Sequence, residues 1–117
     1  MGITGVRTFP CPDAFDPYGV LEGLMSAEPI KSWTRLLGTS GYDYATSVTT
    51  GSDGSIFIAG VTNGKLDGNS NAGSNDAFLS KYNSDGTKSW TQLLGTSAGD
   101  SATSVTTGSD GSIYIAG

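Results

Sequence analysis

Residues 31–60 recur as residues 88–117, displaced by 57 positions, and 25 of the 30 paired residues are identical. Only Arg35/Gln92, Gly41/Ala98, Tyr42/Gly99, Tyr44/Ser101 and Phe57/Tyr114 differ. A period of this length places one supersecondary unit in each repeat, and such units bury their faces against their neighbours. The chain holds one full period and about half of the next. Within a period the pattern predicts four strands, at residues 45–50, 55–61, 76–82 and 88–94. Gly51-Ser52-Asp53-Gly54 separates the first pair and Asn83-Ser84-Asp85-Gly86 the last. Asp-Gly between extended runs is a hairpin signal, because glycine accepts the positive φ such turns need. A longer polar loop over residues 62–75 joins the two hairpins. Every connection is then hairpin-like, which makes the sheet an antiparallel meander with no room for crossover helices.

These strands carry apolar side chains on both faces. Ile56 and Ile58 oppose Phe57 and Ala59, and Phe78 and Tyr82 oppose Ala77 and Leu79. A four-stranded sheet that is apolar front and back needs a neighbour on each side. Radially arrayed propeller blades supply one. The expected fold is therefore all-β: a partial β-propeller of antiparallel four-stranded blades, with one complete blade and portions of its neighbours.

Composition divides the chain at residue 30. All four prolines, both glutamates, both methionines and Cys11 precede it, and residues 31–117 contain none of these. The first part, residues 1–30, reads as a non-repeat N-terminal segment, short and irregular or weakly helical. Asp16-Pro17 offers a helix start, with Val20, Leu21, Leu24 and Met25 on one face. Residues 31–117 form the propeller repeat region. One short echo crosses the boundary, since Asp13-Ala14-Phe15 repeats the start of the third strand, Asp76-Ala77-Phe78.

The ordered pieces Leu36-Leu37-Gly38, Ala45-Thr46-Ser47-Val48, Asp53-Gly54-Ser55-Ile56-Phe57-Ile58-Ala59-Gly60, Asp76-Ala77-Phe78-Leu79-Ser80-Lys81-Tyr82 and Asp85-Gly86-Thr87-Lys88-Ser89-Trp90 resemble the SBBP repeat. That is a β-propeller repeat named for a seven-bladed propeller. The resemblance implies a four-stranded blade and a setting in bacterial surface or secreted proteins, and it implies no particular reaction. A ring of about four to eight blades needs more repeats than this chain holds. The expectation is a fragment of a longer gene product, with self-association of several copies as the alternative.

Function classes narrow by elimination. The chain has no histidine and one cysteine, which removes Ser-His-Asp and Cys-His triads and zinc sites built on His and Cys. Six basic against 11 acidic residues disfavour a nucleic-acid partner. No apolar run approaches the roughly 18 residues of a membrane span, and residues 1–30 lack the apolar stretch of a secretory signal. No catalytic residue and no cofactor is expected.

Four features remain as site candidates. Tyr42 and Tyr44 do not repeat, and variation between near-identical blades falls where a surface can specialise, so they are candidate ligand-binding residues for a glycan or protein. Asp67, Asn69 and Asn71 follow the D-x-N-x-N start of a calcium loop. Ala72 and Phe78, however, replace the glycine and bidentate glutamate that loop requires. The reading prefers a polar loop held by Asx-turns, with weak calcium binding as the alternative. Asp43 and Asp100 repeat ahead of the first strand, which points to a structural role, while Trp33 and Trp90 read as edge-strand packing. The function expected is a non-catalytic structural and recognition segment of a surface or secreted protein. The alternatives are a carbohydrate-binding propeller and part of a propeller enzyme whose active site lies on other blades.

Overall fold

Three Asp-Gly turns set the architecture. In each, glycine adopts a positive φ, 84° at Gly54, 87° at Gly86 and 86° at Gly111. At the first turn the Gly54 N–H donates to the Gly51 carbonyl at 3.1 Å and the Gly51 N–H to the Ser55 carbonyl at 2.8 Å. The Asp53 carboxylate accepts from the Ser55 N–H at 2.9 Å, and Asp85 and Asp110 do the same for Thr87 and Ser112. This is a type I turn closed by a left-handed glycine, a conformation that reverses a strand without splaying the hairpin.

The computed structural model describes residues 1–8 and 29–117. Its strands are β1 Gly2–Thr8, β2 Pro29–Leu36, β3 Asp43–Thr50, β4 Ile56–Thr62, β5 Asp76–Tyr82, β6 Lys88–Leu94, β7 Ser104–Thr107 and β8 Ile113–Ala116. They form three sheets, β1-β2, β3-β4-β5-β6 and β7-β8. The fold is all-β, and its central sheet is the antiparallel four-stranded meander expected of a propeller blade. Two units are distinguished, Gly2–Arg35 and Met1 with Leu36–Gly117.

In the larger unit, β3 pairs with β4, β4 with β5 and β5 with β6, all antiparallel. The first pairing shifts between Ala45 and Ser47, so Thr46 bulges out. Gly60 lies opposite, where a Cβ would come within 2.0 Å of the Tyr44 carbonyl oxygen. Only glycine permits that approach.

Both faces of the blade carry buried side chains, although Val48 on β3 is 64% exposed. On one, Phe57, Ala59, Ala77 and Leu79 form a cluster with Ala102 and Val105, joined by Trp90, Ile113 and Ile115. The strand pair β7-β8 is the first half of the next blade and lies against this face. At about 1.5–3 kcal/mol per buried large apolar side chain, Phe57, Leu79 and Val105 alone make this stacking a main source of stability. On the opposite face Ile58, Phe78, Ser80 and Tyr82 are buried as well. There the hydroxyls of Ser80 and Thr91 meet at 2.8 Å, so each of these two covered polar groups has a partner.

Polar ties align blade and half-blade. The Ala102 N–H donates to the Gly60 carbonyl at 3.2 Å and the Thr107 hydroxyl to the Thr50 carbonyl at 2.8 Å. Thr46 Oγ1, released by the bulge, donates to the Ala102 carbonyl at 2.7 Å. These bonds fix which residues of successive repeats face each other.

The N-terminal segment departs from the expectation. Its first residues are a strand, β1, rather than irregular or weakly helical chain. The helix start at Asp16-Pro17, the Asp13-Ala14-Phe15 echo and Cys11 lie outside the described residues. β2 is the counterpart of β6, one repeat earlier, and β1 takes the place beside it that β5 takes beside β6. Three contacts establish the match. Thr4 and Thr34 hydroxyls meet at 3.3 Å, as Ser80 and Thr91 do. Gly5 lies against the Trp33 indole, as Lys81 is paired with Trp90. The Leu37 N–H donates to the Met1 carbonyl at 2.9 Å, where Ala77 is paired with Leu94. β1 is thus a third-strand surrogate. Glycine at position 5 is required, because a Cβ there would fall within 2.2 Å of the indole.

Candidate functional site

The loops that enter the first strand of each repeat are braced by a carboxylate. Asp43 accepts from the Thr39 N–H at 2.6 Å and the Thr39 hydroxyl at 2.9 Å through one oxygen, and from the Thr62 hydroxyl at 2.5 Å through the other. Asp100 repeats the first two contacts with Thr96, at 2.6 and 3.0 Å. Partial burial pushes the Asp43 carboxyl upward, but the bonds from Thr62 and Thr39 and the nearby N-terminal ammonium outweigh it, and the group sits below the usual carboxylate value. Asp76 accepts from the Ala72 and Gly73 N–H groups at 2.6 and 3.1 Å, which closes the long loop onto the third strand. Each of the three carboxylates accepts from at least one backbone N–H of the loop it braces.

Tyr42 and Tyr44 stand on this braced entrance. Asn63 fixes Tyr42 from both sides, accepting from the Tyr42 N–H at 2.6 Å through its side chain and donating its own N–H to the Tyr42 carbonyl at 3.0 Å. Gly41 makes room for the Asn63 side chain. Alternation along β3 then sends both tyrosines to the same side. Their rings lie 6.3 Å apart between centroids with planes only 3° from parallel. Both are exposed. The pair is a stack of two exposed rings on a hydrogen-bonded base, and the second repeat, with Gly99 and Ser101 at these positions, has none. Sequence reasoning named the tyrosines as candidates and did not name Asn63, whose only signal is its place just after the second strand.

The loop over residues 62–75 contains a short 3-10 turn at Leu66–Gly68, in which Asp67 adopts a φ of 53°. Its carboxylate is engaged by the Lys88 ammonium and the Thr91 hydroxyl of β6. Asn69 donates its amide to the Leu66 and Thr91 carbonyls at 3.0 and 3.2 Å, and Asn71 donates to the Thr62 carbonyl at 3.1 Å. The three side chains named as calcium candidates thus each have protein partners, and they pin the loop to β4 and β6. A cation at Asp67 would compete with Lys88 for the same oxygen.

Trp90 packs against Phe57, with ring centroids 6.3 Å apart, which gives it the edge-strand packing role. An open cleft of about 470 Å³ includes Ala77, Leu94, Asp100, Ala102 and Ile115 in its lining. Its one acidic side chain is the Asp100 already held by Thr96. Among the described residues no three His, Cys, Asp or Glu side chains gather as a metal site, and no helix is long and apolar enough to cross a membrane.

Comparison with curated proteins finds no match to the chain. Among protein families, the one described as SBBP, a beta-propeller repeat, matches residues 32–67, which run from β2 through the first hairpin to the 3-10 turn. The match covers both the braced strand entrance and the first Asp-Gly turn. The matched stretch includes β3 and β4, the first half of the four-stranded sheet, so residues 32–67 are similar to an SBBP-type β-propeller repeat and the sheet is consistent with one blade of a propeller.

Proposed function

We propose that this propeller segment is a non-catalytic scaffold that presents a recognition surface at its blade rim, as part of a surface or secreted protein. The observation that carries this reading is the exposed, parallel Tyr42–Tyr44 pair on a hydrogen-bonded base. Parallel aromatic rings held rigidly offer a face to a sugar ring or to a partner's apolar side chain at little entropic cost. The carboxylates nearby are committed to backbone donors, which supports a binding role over a hydrolytic one. Placement outside the cell rests on the family resemblance.

A glycan ligand is the more specific form of this reading, supported by the exposed ring face at the end of the Tyr42–Tyr44 stack. Glycan-array binding that disappears in a Tyr42→Ala, Tyr44→Ala double variant with unchanged melting supports it. Binding that survives the double variant places the ligand elsewhere. No binding to any glycan leaves a protein partner as the ligand class, tested by pull-down with the same variant pair.

A further inference from the structure

Asn63 is followed by Gly64, and no other asparagine of the chain precedes a glycine. Three groups of the braced entrance act on this pair. The Tyr42 N–H donates to Asn63 Oδ1 at 2.6 Å, so it both holds and polarises the side-chain amide carbonyl. The Gly64 N–H donates to Thr62 Oγ1 at 3.1 Å, and Thr62 Oγ1 donates in turn to Asp43 at 2.5 Å, on the oxygen that Thr39 leaves free. A backbone nitrogen, a hydroxyl and a carboxylate are thus joined in one chain of hydrogen bonds. Packing demands the dipeptide, because Gly64 lies against Thr39 where no Cβ fits, and Asn63 fills the space that Gly41 leaves.

We propose that Asn63-Gly64 is a self-modification site, at which the folded protein converts Asn63 to aspartate and isoaspartate and so places a negative charge at the base of the Tyr42–Tyr44 pair. The Gly64 nitrogen attacks Asn63 Cγ, and its proton passes to Thr62 Oγ1 as the Thr62 proton passes to Asp43. Charge developing on Oδ1 is met by the Tyr42 N–H, which acts as an oxyanion donor. The bond from the Gly64 nitrogen to Cγ forms and the Cγ–Nδ2 bond breaks. Ammonia leaves, with water returning the relayed proton from Asp43 to the departing nitrogen. A further water molecule then opens the cyclic imide at either of its carbonyls. Attack at Cγ yields aspartate, and attack at the main-chain carbonyl yields isoaspartate, whose backbone is longer by one carbon. Glycine, having no Cβ, leaves the attacking nitrogen unhindered. Either product adds a carboxylate beside Tyr42, and isoaspartate also displaces the acceptor that fixes the Tyr42 N–H.

The effect on ligand binding rests on the reading of Tyr42 and Tyr44 as a recognition surface; the modification does not, and mass spectrometry reads it apart from any ligand. Peptide mapping of the protein aged at neutral pH should find Asn63 converted to both products, at least about tenfold faster than in the same chain unfolded in urea. Burial pushes the Asp43 carboxyl upward, but the bonds from Thr62 and Thr39 outweigh it and keep the group ionised. The folded rate should therefore stay nearly level from about pH 5 to about pH 8, whereas the unfolded chain, relying on hydroxide, gains about tenfold per pH unit. Thr62→Val should slow conversion by about tenfold or more, and Thr62→Ser, which keeps the hydroxyl, should restore it. Conversion no faster in the folded protein than in urea overturns the proposal. So does a folded rate that climbs with pH as the unfolded one does, and this profile decides the matter should Thr62→Val fail to fold. Conversion in a protein that binds no glycan or protein counts against the recognition surface and leaves the modification standing.

Discussion

Replacing Gly60 with alanine puts a methyl group about 2.0 Å from the Tyr44 carbonyl oxygen and 2.9 Å from the Ala45 Cα. Ordinary contact between such atoms is about 3.5 Å, so β3 must withdraw from β4 by about 1.5 Å at the bulge. The nearest atoms are backbone, and no rotamer change relieves them. A shift of that size breaks one or two ladder hydrogen bonds, at about 0.5–1.5 kcal/mol each, and adds about 1–3 kcal/mol of packing strain. The Gly60 carbonyl also receives the Ala102 N–H, so the same shift loosens the half-blade. The expected cost is about 3–5 kcal/mol, and at roughly 4–8 °C per kcal/mol Tm falls by some 15 °C or more. Gly111→Ala is the control. Its Cβ meets nothing within 4 Å, and only the left-handed backbone, at a φ of 86°, is penalised. That change costs about 1–2 kcal/mol. Thermal unfolding followed by far-ultraviolet circular dichroism ranks the two. A Gly60→Ala variant that melts within a few degrees of the parent, or above Gly111→Ala, refutes the close approach of β3 and β4.

Phe78 is fully buried on the face opposite the half-blade; Phe78→Ala should cost about 3–5 kcal/mol in urea unfolding, and a loss under 1 kcal/mol would mean that the ring is not packed. Because the Asp43 carboxyl titrates below its unfolded value of 3.8, its contribution to stability is complete above that pH and is lost as pH falls through the lower folded value. Asp43→Asn should therefore flatten part of the acid limb of a Tm-against-pH curve, and an unchanged limb would remove Asp43 from the account. Millimolar calcium should leave Tm unchanged, since Lys88 and Thr91 hold the Asp67 oxygens; a rise lost in Asp67→Ala would return the loop to cation binding.

Much of this fold is legible in the repeat. The third and fourth strands fall at residues 76–82 and 88–94 as expected, and the first hairpin differs from its expected bounds by two residues or fewer. The reason is that Asp-Gly turns, alternating apolar residues and flanking polar loops agree on one local answer. β1 was not legible. Gly2, Thr4 and Gly5 give it little apolar periodicity, and its conformation follows from the edge of β2, a partner known only once the chain is folded. Position along the sequence could reveal that Asp43 and Asp100 do structural work, because they repeat. It could not reveal that Asn63 grips Tyr42 or that Asp67 reaches Lys88, since both contacts cross about 20 residues of loop and strand.

Methyl NOE spectroscopy tests most directly whether successive repeats stack face to face. The account predicts cross-peaks linking Val105 and Ile115 methyls to the side chains of the cluster formed by Phe57, Ala59 and Leu79. If those methyls show cross-peaks only within their own hairpin, the blades do not pack on one another and the propeller account fails.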